Sequence, residues 1–163
     1  VYEFAECDES CSNMGTTFVG CSVLGLTAYI AHVGDSRLYR INSGGIEQIT
    51  TDHSYVEEMV KAGKLTHEEA ENHPDRNIIT RAVGTSVEVE ADGIVLNAAK
   101  GDIILICSDG LNTMVKDNEI LEIVTAPDSL QQKLDRLVAR ANEMGGRDNI
   151  SAILIDLGEG CEL

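Results

Sequence analysis

One segment restricts the fold of this chain more than any other, the run Ile103-Ile104-Leu105-Ile106-Cys107. Five consecutive apolar residues predict a strand that is buried on both faces, because a strand with one solvated face alternates polar and apolar side chains. Such a strand needs a layer of structure on either side. The chain has 163 residues, which is enough for one domain with a sizeable core.

Short β-prone runs separated by turn residues fill the stretch before residue 51, and we predict strands at 17–24, 27–33, 37–41 and 46–50. The intervening turns contain Gly25, Gly34-Asp35 and Ser43-Gly44-Gly45, which is typical of antiparallel hairpins. Residues 87–96 and 102–108 are predicted to form a further strand pair, and residues 150–157 a final strand.

Helical composition begins at residue 54. Thr66 with Glu69 and Ser129 with Gln132 have the spacing of capping boxes, which predicts the start of a short acidic helix and of the longest helix. Asp117 is predicted to cap a helix that runs through Val124. The longest helix has one apolar stripe, formed by Leu130, Leu134, Leu137, Val138, Ala141 and Met144, and Gly145-Gly146 ends it. Hairpins followed by helices and returning strands indicate an α+β domain with two sheets flanked by helices.

The charge of the chain disfavours two classes of partner. Twenty-eight acidic residues against twelve Lys and Arg give a formal net charge of −16. Such a surface repels nucleic acids and anionic lipids, so neither nucleic acid nor membrane is expected as a partner. It attracts divalent cations, although acidity alone also serves solubility.

The cysteines favour a reducing, cytoplasmic compartment. Five cysteines is an odd number, and Cys21 and Cys107 sit in apolar runs where cysteine behaves as a small buried hydrophobe. Cys7 and Cys11 form a C-x3-C pair, but no second pair or clustered histidine completes a structural zinc set, which makes zinc a minor alternative.

Three aspartates sit at the ends of predicted core strands. Asp109 follows the buried run, Asp148 precedes the last strand, and Asp35 lies at a hairpin apex. Each also has an ordinary explanation: an Asp-Gly turn, a helix-to-strand loop, and a turn residue paired with Arg37. Carboxylates without His or Cys suit the hard cations Mg²⁺ and Mn²⁺.

The four histidines compete weakly as ligands. His32 is predicted to be a packed core residue. His53, His67 and His73 lie in polar segments that are predicted to be exposed.

At these residues the sequence resembles a known family, the metal-dependent Ser/Thr protein phosphatases of the 2C type, and especially their compact bacterial members. The resemblance starts at Met14 and rests on six motifs in order: MGTT at 14–17, AHVGDSRLYR at 31–40, TDHS at 51–54, RNIITRAVG at 76–84, CSDGL at 107–111 and GRDN at 146–149.

The resemblance implies a four-layer αββα sandwich of two mainly antiparallel sheets flanked by helices. It also implies hydrolysis of phosphoserine and phosphothreonine in proteins by a water that two Mn²⁺ or Mg²⁺ ions activate. By motif, Asp109 and Asp148 would bind a catalytic metal, and Asp35 with Asp109 would serve a weaker third one. No catalytic residue beyond the metal ligands and no organic cofactor is implied. Residues 54–80 would form a mobile flap, and an opposing Ser/Thr kinase would act on the same phosphoproteins.

The resemblance covers the C-terminal part of the family's domain. The family's Asp-Gly-x-Gly-Gly motif, which supplies the carboxylate that bridges two metals, does not occur in these residues. We therefore expect residues 1–163 to be one phosphatase domain whose N-terminal part is absent, inactive alone and able to form a dimer or a swapped assembly. The alternatives are a non-catalytic protein-binding module of the same fold and a simple acidic metal-binding domain.

Overall fold

A computed structural model describes residues 1–12 and 14–158. The chain forms two compact units. The first contains residues 1–20, 31–36 and 51–93, and the second contains residues 21–30, 37–50 and 94–163. In the part of the chain that the structure describes, no helix has the length and apolar character that crossing a membrane requires.

The structure has seven strands and six α-helices among its described residues. The strands are β1 (Phe18–Leu24), β2 (Thr27–Val33), β3 (Arg37–Asn42), β4 (Gly45–Gln48), β5 (Asp92–Asn97), β6 (Ile103–Cys107) and β7 (Ala152–Asp156). The helices are α1 (Tyr2–Cys7), α2 (Tyr55–Lys61), α3 (His67–Glu71), α4 (Asp109–Asn112), α5 (Asp117–Thr125) and α6 (Leu130–Glu143), with a 3-10 turn at Glu9–Cys11.

The apolar run Ile103–Cys107 forms β6, an inner strand of a four-stranded antiparallel sheet. This sheet has the order β4-β3-β6-β7, with Leu105 opposite Tyr39 on one side and opposite Leu154 on the other. Ile104, Leu105, Ile106 and Cys107 are all buried. The prediction of a strand covered on both faces is therefore confirmed.

The core of the second unit lies between this sheet and the helices α4, α5 and α6. It is almost entirely aliphatic, as expected for a chain without tryptophan. Its buried members include Tyr39, Ile41, Leu105, Leu111, Val115, Ile120, Val124, Leu137, Ala141 and Leu154. This packing fixes the end of β6 and the start of α4, where the first candidate ligand lies.

The predicted caps of α3 and α6 are confirmed. Thr66 and Glu69 form a reciprocal capping box, and so do Ser129 and Gln132. Helix α6 ends at Gly145-Gly146 as predicted, where the Gly146 amide donates to the Ala141 carbonyl at 3.1 Å. Leu130, Leu134, Leu137 and Ala141 of its predicted apolar stripe pack on the core. Val138 is only partly buried, and Met144 is 48% exposed because it lies beyond the last turn.

Three local predictions are wrong. β5 and β6 do not pair, because β5 joins the three-stranded sheet β1-β2-β5 and β6 has β3 and β7 as its neighbours. Residues 87–91 lie outside any strand, and Val87 is 77% exposed. The alternation of valine and glutamate in this segment therefore does not correspond to a strand with one buried face. Helix α5 has Lys116 as its N-cap and Asp117 as its first residue.

The first unit brings together several segments that are distant in the chain. Thr16 and Val83 form an antiparallel bridge with hydrogen bonds of 3.0 and 2.8 Å, and Ser54 forms another with Ile79. Ser54 also caps α2 by accepting from the Glu57 amide at 3.3 Å. The segment between Ser54 and Ile79 is thus closed at its base and contains the short helices α2 and α3.

Candidate metal centre

Asp109 lies where the central strand β6 leaves the core. It is the first residue of α4 and directly follows Ser108, the N-cap. The side chain of Asp109 is partly buried, whereas Gly110 and Leu111 behind it are fully buried. The rigid core therefore fixes the position from which this carboxylate emerges.

Gly110 allows the loop before β7 to approach the start of α4 closely. A Cβ atom at Gly110 would lie 2.3 Å from the carbonyl oxygen of Asn149 and 3.3 Å from that of Asp148. Ser108 fastens the same loop, because its hydroxyl donates to the Asn149 carbonyl at 3.2 Å and accepts from the Ser151 amide at 3.0 Å. These contacts bring the two predicted aspartates of the second unit together.

The electrostatics of this pair favour a bound cation. Burial, and after it the charge of Asp148, raises the pKa of Asp109, while the Gly110 amide and the Arg37 guanidinium oppose the shift. Asp148 is exposed and accepts from the Asn149 amide at 2.7 Å. Two neighbouring carboxylates, one partly buried, fit a hard divalent cation, which would neutralise their mutual repulsion.

Arg37 is anchored within the second unit. Its Nη1 donates to the Tyr39 hydroxyl at 3.0 Å. The side-chain amide of Asn112 is oriented so that its oxygen and its nitrogen both have hydrogen-bond partners. In this orientation the oxygen accepts from Nη1 and Nε of Arg37, each at 3.0 Å. Arg37 thus links β3 to α4, the helix that begins with Asp109.

Asp35, the third predicted ligand, lies in the first unit in the bend between β2 and β3. The preceding Gly34 has φ +110°, and a Cβ atom there would lie 2.3 Å from Cγ2 of Thr17, so only glycine fits. On the other side of Asp35, the Ser36 hydroxyl is 2.8 Å from the Thr17 hydroxyl. Two motifs noted in the sequence therefore hold this bend together.

The histidine predictions are right for His32 and wrong for His53. His32 is completely buried, as predicted, but His53 is also buried, with 6% of its surface exposed. Its polar atoms can be buried because they have partners: the His53 amide donates to the Gly34 carbonyl at 2.8 Å, and its carbonyl accepts from the Thr80 amide at 2.8 Å. The polar neighbours of His53 in the sequence gave no sign of this.

A second polar cluster, formed around His53 in the first unit, was missed at the sequence level. Nε2 of His53 lies 3.1 Å from Oδ2 of Asp92, and Arg81 Nη1 donates to Oδ1 of Asp92 at 2.8 Å. The motif that contains Arg81 was noted, but nothing in the sequence pointed to Asp92.

Within residues 1–12 and 14–158, one group of three side chains has metal-ligand spacing, and it consists of His32, His53 and Asp92. Cys7, Cys11, Cys21 and Cys107 take no part in this group.

The comparisons with known proteins agree with this geometry. The model of the family Protein phosphatase 2C matches residues 2–59. Protein phosphatase PhpP of Streptococcus pneumoniae serotype 2 is 43% identical over 152 residues, which cover 93% of this chain and 62% of that protein.

Solved structures match over almost the whole chain. A crystal structure of a bacterial serine phosphatase has a TM-score of 0.91 and 40% identity, covering 98% of this chain and 65% of that one. The catalytic domain of the serine/threonine protein phosphatase PstP, solved in complex with two manganese ions, has a TM-score of 0.83 and 34% identity, covering 94% of this chain and 63% of that one.

The proteins that match are named as bacterial serine/threonine phosphatases, and their structures confirm the α+β fold of two antiparallel sheets with helices. The chain is similar to the protein phosphatase 2C family, whose model matches its residues 2–59. It spans about three-fifths of the relatives that it matches, 62% of the length of PhpP and 65% of the bacterial serine phosphatase.

Proposed function

We propose that this chain is part of a metal-dependent protein phosphatase that hydrolyses phosphoserine and phosphothreonine in proteins. Relatives such as PhpP are named as protein phosphatases, and the chain shares the fold of a bacterial serine phosphatase. The single observation that carries the proposal is the partly buried Asp109 beside Asp148 at the end of β6.

This observation argues against a mere binding module. A carboxylate whose pKa is raised by burial and by a second carboxylate destabilises the folded chain at neutral pH. Such an arrangement has a physical reason if a cation offsets the cost. A partner-binding surface would not need Asp109 at this position.

In the proposed site, some residues bind the metal and others position these ligands. Asp109 and Asp148 would hold Mn²⁺ or Mg²⁺, while Ser108, Gly110 and Asn149 position them. When bound, divalent cations in such sites lower the pKa of a water molecule and neutralise charge on phosphoryl oxygens. No side chain of the chain is assigned as a general acid or base.

Three further assignments belong to the proposal. Asp35 is a further metal ligand, held in its bend by Gly34 and the Thr17–Ser36 pair. Residues 54–80, which contain α2 and α3, form a flap beside the substrate. The substrates are phosphoproteins, and a Ser/Thr kinase adds the phosphate groups that the phosphatase removes.

Mn²⁺ binding to this chain tests the metal centre directly. Isothermal titration calorimetry would compare the wild type with Asp109→Asn and Asp148→Asn, and each substitution is expected to weaken Mn²⁺ binding at least tenfold. Asp135→Asn is the matched control, because Asp135 lies on the exposed side of α6 and an asparagine there still accepts from Gln131. Equal Mn²⁺ affinity in all four proteins would contradict the proposal.

A further inference from the structure

His53 holds the bend that carries Asp35 by two hydrogen bonds to Gly34. Its backbone amide donates to the Gly34 carbonyl at 2.8 Å, and the Gly34 amide donates back to Nδ1 of the His53 ring at 2.9 Å. Gly34 is buried, so neither of its backbone groups can bond to bulk water instead. The residue that immediately precedes Asp35 is therefore held by one histidine.

The Gly34 contact determines the tautomer of His53. A backbone amide can only donate, so Nδ1 must present its lone pair to Gly34 and the ring proton must be on Nε2. This proton points to Asp92, whose Oδ2 lies 3.1 Å from Nε2. The opposite tautomer would place two N–H groups face to face at Gly34 and leave Asp92 without a donor from the ring.

Arg81 fixes Asp92 in turn. Its Nη1 donates to Oδ1 of Asp92 at 2.8 Å and to the Glu90 carbonyl at 3.1 Å, and it also lies 3.0 Å from Nε2 of His53. Although burial acts in the opposite direction, the hydrogen bonds and charges of His53 and Arg81 lower the pKa of Asp92. Asp92 is therefore an ionised acceptor over the neutral pH range, which favours the Nε2-protonated ring.

The same contacts exclude the cluster as a metal site. The ligand atoms of His32, His53 and Asp92 lie within 4.8 Å of one another, a spacing that would suit a cation. However, Nδ1 of His53 is occupied by the Gly34 amide and Nε2 carries the proton. The Arg81 guanidinium also lies 3.0 Å from Nε2, so a positive charge is already present where a cation would bind.

His32 restricts the ring of His53 by packing. The two rings are stacked with their centroids 4.8 Å apart and their planes at 29°. His32 is completely buried, and neither of its ring nitrogens has a hydrogen-bond partner in the described part of the chain. Its contribution to the position of His53 is therefore steric.

We propose that His53 is a positioning residue that, through the chain Arg81–Asp92–His53–Gly34, sets the conformation of the bend presenting Asp35. The inference rests on the proposed function in one respect, the role of Asp35 as a metal ligand. The hydrogen-bond chain itself can be tested without metal or substrate.

Two substitutions distinguish the roles of the two ring nitrogens of His53. His53→Asn places an amide oxygen near the position of Nδ1 and keeps an acceptor for the Gly34 amide. His53→Gln places its amide near the position of Nε2 and keeps a donor for Asp92, but it removes the acceptor. Both remove the ring that stacks on His32, so the difference between them isolates the acceptor atom.

NMR spectroscopy of the metal-free chain provides the readouts. In the wild type, the ¹⁵N shifts of the His53 ring should show a protonated Nε2 and an unprotonated Nδ1. Hydrogen exchange of the Gly34 amide should be similar in the wild type and in His53→Asn, and about tenfold faster in His53→Gln, as expected for the loss of one buried hydrogen bond. The Asp35 amide shift should move in His53→Gln and stay in His53→Asn.

A proton on Nδ1 in the wild type, or equal Gly34 exchange in the two variants, would overturn the proposal. The tautomer is measured in the unmodified chain, so the proposal stays testable if a variant does not fold. Mn²⁺-induced broadening of the Asp109 amide, recorded on the same samples, reports on the proposed metal centre. Its absence would count against that function, while the tautomer and exchange data would still decide the role of His53.

Discussion

Asp109 shows at the scale of one residue how a proposed metal ligand lowers the stability of the metal-free chain. Its carboxylate is partly buried, and Asp148 adds a second negative charge nearby. Because both effects raise the pKa of Asp109, its ionised form is disfavoured in the folded chain relative to the unfolded chain. The stability of the metal-free chain is therefore lower above this raised pKa than below it.

Asp109→Asn is predicted to raise the melting temperature of the metal-free chain at pH 7. The amide removes the buried charge and the repulsion from Asp148. Partial exposure screens both effects, so the gain is at most about 1 kcal/mol, or ~2–4 °C for a chain of this size. Differential scanning calorimetry in EDTA measures it, with Asp135→Asn as the control. A lower melting temperature for Asp109→Asn than for the control would contradict the prediction.

His32 predicts a dependence of stability on pH. Burial and then the neighbouring His53 lower the pKa of His32, although Asp52, Asp92 and the Ser36 backbone act in the opposite direction. In the unfolded chain His32 gains a proton near its ordinary pKa of 6.5, while the folded chain still resists protonation. Stability that is fully present above pH 6.5 is thus lost as the pH falls below it.

His32→Phe keeps an aromatic ring and removes this titration. Urea unfolding at about pH 5.5 and pH 7.5 should show a smaller loss of unfolding free energy in His32→Phe than in the wild type. His67→Gln is the control, since His67 is exposed. If all three proteins lost the same unfolding free energy between the two pH values, His32 would not be the source of the acid sensitivity.

Strand β7 is the element whose environment differs most from what its sequence suggests. Its composition is largely apolar on both faces, yet β7 lies at the edge of the sheet β4-β3-β6-β7 and its Ile153 is 56% exposed. Leu134, Val138, Ile150 and Ile153 line a groove between α6 and this strand. An edge strand with exposed apolar side chains favours pairing with another chain.

Self-association through β7 is predicted for the 163-residue chain, and Ile153→Lys is predicted to reduce it. A charge on an edge strand disfavours pairing with a second copy. Size-exclusion chromatography with light scattering should show dimers for the wild type that are lost at the same concentration in Ile153→Lys. Val95→Lys, an exposed apolar position on β5, is a control for the general effect of adding charge. A wild type that is monomeric throughout would refute the prediction.

Sequence reasoning succeeded where the signal was local. The run Ile103–Cys107 predicted the central strand, and with it the place where Asp109 emerges. The spacing of Ser129 and Gln132 predicted the start of α6. Both signals depend on residues a few positions apart, which periodicity and capping rules can detect.

The failures concern contacts between distant residues. His53 and Asp92 are 39 residues apart, and no periodicity connects them. The sheet partner of β5 could not be predicted from adjacency, because the chain crosses from one sheet to the other between β5 and β6. The candidate ligand Asp148 could be named, but its approach to Asp109 depends on the contact of Gly110 with the Asn149 backbone, which the sequence does not reveal.

For the molecule as a whole, the number of available carboxylates limits the chemistry. Asp109 and Asp148 can hold a cation, but the family's Asp-Gly-x-Gly-Gly motif is not among these 163 residues. Two-metal catalysis needs ligands that keep both ions in place at about 3.5–4 Å from each other. Two terminal carboxylates do not enforce such a pair.

The 163-residue chain alone is therefore predicted to hydrolyse neither a phosphothreonine peptide nor p-nitrophenyl phosphate in Mn²⁺. Phosphate release assays on the wild type and on Asp109→Asn should both give the background rate. A longer polypeptide from the same coding sequence that includes an Asp-Gly-x-Gly-Gly segment should be active. Mn²⁺-dependent turnover by the 163 residues that Asp109→Asn abolishes would show that these residues suffice.

The close contact between Gly110 and Asn149 has a consequence for folding. The residues on either side of it, Asp109 and Asp148, bracket α4, α5 and α6 in the chain. A cation bound to both carboxylates would act as a reversible cross-link that closes a loop containing all three helices. Loop closure lowers the entropy of the unfolded chain, so the ion would slow the opening of these helices together. Metal binding and the unfolding of these three helices would then be thermodynamically linked.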